Sequence, residues 1–192
     1  MNNKQFGIFL DALEFAAEKH RYANRKDHPR GHEHGTAYIN HPIQAASLLW
    51  NIGQVRDINT LAAALLHDVL EDTPTKDEEI ETRYGSKIFA IVKEVSDDKS
   101  LDRDLRKRIQ VETAAKKSFE AKLVKLADKI TNVRDIRLTP PNWDKDRKLK
   151  YVEWSKEVVD QIRGTNPALE KKFDEEFSQA IQAIEHPAAD LI

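Results

Sequence analysis

Apolar residues recur every three or four positions along nearly the whole chain, and nowhere do they alternate convincingly in twos. That period commits a segment to a helix with one buried face. Phe6, Phe9, Leu10, Leu13, Ala16, Ala17 and His20 form one such face. Ile43, Ala46, Leu49 and Trp50 form a second, with Pro42 suited to its first turn and Gly53 near its end. Ile58, Leu61, Ala62, Leu65 and Leu66 give a third, strongly apolar stripe. "TKDE", Thr75 to Glu78, reads as a capping box, Gly85 as the end of the helix it starts, and Ser86 as the next cap. Further helices are expected over 101–117, 119–137, 144–163 and 167–185, with Pro140 and Pro141 as a break. With no repeat and no low-complexity linker, the expectation is one all-α domain over residues 1–192, an irregular multi-helix bundle.

Composition narrows the function classes. The 192 residues are 40% hydrophobic and 33% charged, enough for a real core. A net charge of −2 argues against a nucleic-acid binder, which needs a basic face, but leaves room for a small basic nucleotide pocket. No apolar run approaches the ~20 residues of a membrane span, and "MNNKQFGIFLDALEF" lacks a signal-peptide layout. The chain has no cysteine, which excludes disulfides, thiolate zinc sites and cysteine nucleophiles. A cytoplasmic location without a membrane partner is the expectation. An oligomer is not indicated; Phe173 and Phe177 are either core or interface.

The chemistry gathers at "LLHDVLEDT", Leu65 to Thr73. His67, Asp68, Glu71 and Asp72 lie within six residues, and like charges one turn apart repel. A bound cation would offset that repulsion. Adjacent His67 and Asp68 project about 100° apart on a helix and converge on one ion only near a helix end, which Pro74 places close by. Asp128 sits beside an apolar stripe in "KLVKLADKITNVRDI", where an unpaired carboxylate is expensive. Its alternative is an ion pair with a neighbouring lysine. His41, in "YINHP", opens a helix; its alternative is a capping or packing histidine. Two nitrogens and two oxygens, from His41, His67, Asp68 and Asp128, suit manganese, iron, magnesium or zinc with room for water, rather than a closed structural zinc site.

A histidine, then His-Asp, then a distant Asp on an all-α background resembles the HD-domain metal-dependent phosphohydrolases. "RKD" at Arg25–Asp27, "YINHP" at Tyr38–Pro42, "AALLHDVLEDT" at Ala63–Thr73 and "KLVKLADKITNVRDI" at Lys122–Ile136 are similar to the alarmone hydrolases, the hydrolase domain of Rel/Spo proteins and the small stand-alone enzymes of the Mesh type. "DDKSL", "KRIQVE", "YVEWS" and "GTN" extend the likeness over roughly residues 6–170. The resemblance implies a stand-alone hydrolase that removes the 3′-pyrophosphate of guanosine tetra- or pentaphosphate, usually with manganese, ahead of iron or zinc.

It also implies roles. The family's four metal ligands fall on His41, His67, Asp68 and Asp128, and its "ED" pair, which orients and deprotonates water, on Glu71 and Asp72. Arg25 and Lys26 match the segment that packs on guanine, with Asp27 holding it, and Asn132 and Tyr151 match the nucleoside end. Lys99, Arg106 and Lys107 are candidate phosphate contacts. The alternative for these cations is a solvated surface charge, and for Tyr151 a place in the core; Lys122 and Lys125 are read as surface lysines. The loop "HPRGHEHGTA", with His28, His32 and His34, departs from the family's short connection. It is read as an exposed insertion, or alternatively as a cover over the pocket mouth. The competing functions are action on another 2′-, 3′- or 5′-phosphorylated nucleotide and a weakly catalytic nucleotide sensor.

Overall fold

The computed structural model describes residues 2–23, 25 and 35–187. Among them are nine helices: α1 (Asn3–Lys19), α2 (Asn40–Asn51), α3 (Ile58–Leu66), α4 (Val69–Asp72), α5 (Asp77–Val95), α6 (Arg103–Ala114), α7 (Phe119–Leu138), α8 (Lys145–Asp160) and α9 (Pro167–Glu185). The all-α expectation holds.

Two helices form the middle of the molecule: α3 runs up to His67, and α7 carries Asp128 and Asn132. Asp57 caps α3, accepting from the Thr60 N–H at 2.9 Å and the Thr60 hydroxyl at 2.8 Å. Every residue of α3 except Asn59 is buried, and its Ala62-Ala63-Ala64 run lets α1, α2, α5 and α7 approach closely. Ser118 caps α7, which is buried on several sides by α2, α3, α5, α8 and α9. Leu61, Leu65, Leu66, Leu126 and Ile130 are essentially inaccessible, each contributing about 1.5–3 kcal/mol of apolar burial. Among the peripheral helices, Asn2, Asp144 and Asn166 cap α1, α8 and α9, and Pro167 opens α9 at its expected start.

Several details differ from expectation. Phe6 and Leu10 are about half exposed (50% and 46%); α1 buries Ala12 and Phe15 along with the expected Ala16, and His20 is buried just past its end. Ile43 faces outward as well. Thr75 does not cap α5; Lys76 holds that position and makes no side-chain cap. The Thr75 hydroxyl is spent 2.7 Å from Thr73 Oγ1, which itself donates to Val69 O at 2.7 Å and closes the end of α4. Gly85 does interrupt α5 as read, with φ 83° and ψ 165°, a conformation glycine enters at no steric cost. α2 ends at Asn51, and Gly53 just beyond it packs against α9 where a Cβ would lie 2.9 Å from Leu169 and 3.0 Å from Leu49 O. Phe173 is core, and Phe177 packs half-buried against it.

Candidate active site

The helical run through "LLHDVLED" is not continuous. α3 ends at Leu66, His67 and Asp68 form the link, and α4 resumes for four residues. The helix end the His-Asp pair requires therefore falls on the pair itself rather than at Pro74. His67 Nε2 and Asp68 Oδ2 come within 3.2 Å of each other.

His41, on the first turn of α2, brings its Nε2 to 3.2 Å from His67 Nε2. Asp128, in mid-α7, places Oδ1 at 3.2 Å from His41 Nε2 and 3.7 Å from His67 Nε2. One donor atom from each of these three buried residues lies within 4.8 Å of the others. Asp68 Oδ2 adds a fourth contact, 3.6 Å from His41 Nε2. The outer nitrogens are held in place. His67 Nδ1 lies 2.8 Å from Ala64 O, and His41 Nδ1 lies 3.1 Å from the Thr131 hydroxyl, which is itself 2.8 Å from Asp128 O. This network turns both Nε2 atoms inward. Two imidazole lone pairs facing each other at that distance, ringed by carboxylates, need a positive charge between them. A divalent cation fits that donor set.

The electrostatics agree. Burial opposes charge on His67, yet Asp68 and Asp128 outweigh it and pull His67 up to about 10. A proton on His67 thus supplies positive charge where a cation would. Burial and the Arg25 charge push His41 the other way, below its ordinary value. Burial also penalises the Asp128 carboxylate, but Lys129 and the two histidines hold it well below the usual range. Asp128 is both things the sequence allowed, facing the histidines through Oδ1 and pairing with Lys129 through Oδ2 at 3.3 Å.

Glu71 and Asp72 follow on α4. Glu71 accepts from the Asp97 N–H at 3.2 Å and stands 3.7 Å from Arg106 and 4.0 Å from Lys99. Burial, then the nearby Asp97 and Asp68 charges, push Glu71 up to about 7, the range of a working general base. Asp72 pairs with Lys99 through one oxygen and with Tyr38 through the other.

These groups line one cavity of about 620 Å³, which also takes in Arg25, Lys99, Arg106, Lys107, Asn132 and Tyr151. Lys26, Asp27, His28, His32 and His34 lie outside the described residues. The stem of their loop is closed by Arg25 N–H to Thr36 O at 2.9 Å and Tyr38 N–H to Ala23 O at 3.0 Å. Arg25 is already engaged, donating to Asn132 at 2.7 Å and Asp135 at 3.1 Å. Asn132 passes that contact on by donating to Asp128 at 2.5 Å, so its amide orients Asp128 as well as lining the cavity. Lys107 lies over the rings of Trp154 (4.8 Å) and Tyr151 (5.6 Å). Tyr151 itself packs between Trp143 and Trp154 as a wall.

Sequence reasoning missed Lys129, Arg103, Arg147, Tyr38 and Asp97, all on the same cavity. It also read Lys125 as surface, whereas that side chain is buried and donates to Val95 O at 3.0 Å. Lys129 carried a signal, adjacency to Asp128, and so did Tyr38 and Asp97, through their places in "YINHP" and "DDKSL"; Arg103 and Arg147 reach the cavity only through tertiary packing.

Comparison with known proteins agrees with this architecture. The HD domain family matches residues 12–152. The chain is 46% identical over 172 residues to "Guanosine-3′,5′-bis(diphosphate) 3′-pyrophosphohydrolase MESH1" of Drosophila melanogaster, covering 89% of this chain and 93% of that one. It is 47% identical over 171 residues to the Homo sapiens protein of the same name, covering 88% and 93%. A solved structure described as "a metazoan ortholog of SpoT" that "hydrolyzes ppGpp and plays a role in starvation responses" superposes with a TM-score of 0.84 at 46% identity, covering 90% of this chain and 94% of that one. The chain belongs to the HD domain family, alongside the MESH1 proteins.

Proposed function

We propose that this chain is a metal-dependent hydrolase that converts guanosine tetra- or pentaphosphate to GDP or GTP and pyrophosphate. It acts as one catalytic unit with one divalent cation, manganese ahead of iron or zinc, on a small nucleotide of the cytoplasm. The observation that carries the reading is the buried His41–His67–Asp128 group in a cavity that also presents Glu71, Asp72 and a set of cations. The MESH1 names of relatives at 46–47% identity supply the substrate.

His41, His67, Asp68 and Asp128 would hold the cation, which supplies Lewis acidity toward water and the phosphoryl group. The chain's own groups do the rest. Glu71, held near 7, takes the proton of the attacking water, and Asp72 orients that water. The bond from the 3′ oxygen to phosphorus breaks, a bond from water oxygen to phosphorus forms, and the 3′ oxygen leaves with a proton. Lys99 and Arg106, which pair with Asp72 and Glu71 in the free protein, face the incoming phosphates. Arg25 suits the base, since its planar guanidinium stacks on rings.

The test is incubation with guanosine tetraphosphate, with GDP and pyrophosphate followed by ion-exchange chromatography. The arms are added manganese, chelator, and Asp68→Ala. Equal amounts of both products, only with metal and intact Asp68, are expected. No products under any metal would refute the alarmone reading and direct attention to other phosphorylated nucleotides.

A further inference from the structure

Tyr38 lies just before α2, and its hydroxyl stands between two carboxylates, 2.8 Å from Asp68 Oδ2 and 2.6 Å from Asp72 Oδ2. A phenol has one hydrogen, which the two carboxylates share. In the function proposed above, on which this inference rests, one carboxylate holds the cation and the other serves the water. The ring is pinned. His20 stacks on it at 4.7 Å with an interplanar angle of 21°, and the Arg25 guanidinium lies 5.5 Å from its centroid. His20 is only 2% exposed, and neither of its ring nitrogens has a hydrogen-bond partner among the described residues. Leaving both nitrogens idle costs free energy. What the imidazole provides in return is a flat face for Tyr38.

We infer that Tyr38 is a positioning residue of the hydrolysis, its hydroxyl clamping Asp72 to Asp68, with His20 as the platform that holds the ring. Asp72 needs such a clamp. It ends a four-residue helix, and its other oxygen pairs with Lys99, a side chain 46% exposed. Without the phenol, Asp72 follows Lys99 toward solvent.

The experiment compares wild type, Tyr38→Phe, His20→Ala and His20→Phe at saturating manganese. Two substrates are used, guanosine tetraphosphate and bis(4-nitrophenyl) phosphate, a diester that needs no guanine recognition. Tyr38→Phe should lower kcat by about 10- to 100-fold with KM nearly unchanged. His20→Phe should retain the rate that His20→Ala loses, because the platform uses no ring nitrogen. A readout independent of turnover is manganese affinity by calorimetry in a cycle with Asp72→Asn. If the phenol links the carboxylates, Asp72→Asn changes affinity by at least about twofold less in the Tyr38→Phe background. The clamp is overturned by an additive cycle, by a kcat near wild type, or by a rise in KM alone. It is equally overturned if His20→Phe is as slow as His20→Ala. A wild type that cleaves the diester but not the tetraphosphate sinks the alarmone reading and leaves Tyr38 to be judged on the diester. A wild type that cleaves neither sinks both.

Discussion

Replacing Glu71 with glutamine should stabilise the cation-free protein while stopping the reaction. Glu71 sits near 7 rather than at its ordinary 4.5. Each unit between those values corresponds to 1.36 kcal/mol, so ionising Glu71 costs the fold about 3 kcal/mol. Its side chain is 20% exposed, and allowing for that solvent contact about 2 kcal/mol is the expected effect. The direction follows from linkage. A carboxyl raised on folding binds its proton more tightly in the native state, so stability falls as pH rises from about 4.5 to about 7 and stays reduced above that. Glutamine keeps the size and the oxygen that accepts from the Asp97 N–H at 3.2 Å, and removes only the charge. Urea unfolding with chelator at about pH 8 should therefore favour Glu71→Gln by about 2 kcal/mol, and the two proteins should converge near pH 4.5. Turnover with manganese should fall by about 10²- to 10⁴-fold. Adding manganese should shrink the stability gap, because a cation beside Asp68 attracts the charge that the empty cluster repels. A glutamine variant no more stable than wild type at high pH, with chelator, would refute the reasoning.

Other outcomes follow from the same geometry. His67 is raised to about 10, so manganese must displace its proton; calorimetry near pH 8 in buffers of different ionisation enthalpy should register about one proton released per ion. Because His67 is raised above its ordinary 6.5, its share of the chelated protein's stability is complete below 6.5 and lost as pH climbs toward about 10, which a melting series would detect. Glu176, 2% exposed, accepts from Arg137 and Lys172 at 2.8 Å each. Glu176→Ala should cost about 2–3 kcal/mol in denaturant unfolding by stranding two cations, with KM for the nucleotide unchanged. Gly53→Ala should cost about 1–2 kcal/mol in the same assay, since its Cβ would press on a backbone carbonyl and on the core side chain of Leu169.

What the sequence revealed, and what it hid, follows from the range of the forces involved. Helices α2, α3, α7 and α9 were readable because an apolar stripe at a 3.6 period is local information, and so was the start of α9 at Pro167. Their outward exceptions were not: Phe6 and Leu10 continue the α1 stripe, but α1 buries Ala12, Phe15 and Ala16 and leaves Phe6 and Leu10 about half exposed. Thr75 failed as a cap because its hydroxyl had a nearer partner in Thr73, a competition between two turns that a motif cannot rank. In the site, the charged groups of "LLHDVLED" were visible, whereas Tyr38 was not, because nothing in "YINHP" shows that its hydroxyl meets Asp68 and Asp72.

The break after Leu66 joins these points. An uninterrupted helix through Asp72 would project His67 and Asp68 about 100° apart, and nothing in the apolar pattern of "LLHDVLED" marks an interruption. The structure places the interruption on the pair. From that link, His67 Nε2 meets His41 and Asp128 while Asp68 Oδ2 reaches both histidines and the Tyr38 hydroxyl. The same link starts α4 and so turns Glu71 and Asp72 into the cavity beside the cluster. A substitution that made α3 and α4 one straight helix would leave every site residue in the sequence, yet it would separate the groups suited to hold the cation from those suited to serve the water. The short α4 thus converts a helical repeat of carboxyls into two groups with different surroundings, an Asp68 whose carboxyl the histidines hold low and a Glu71 that burial and its acidic neighbours raise to about 7.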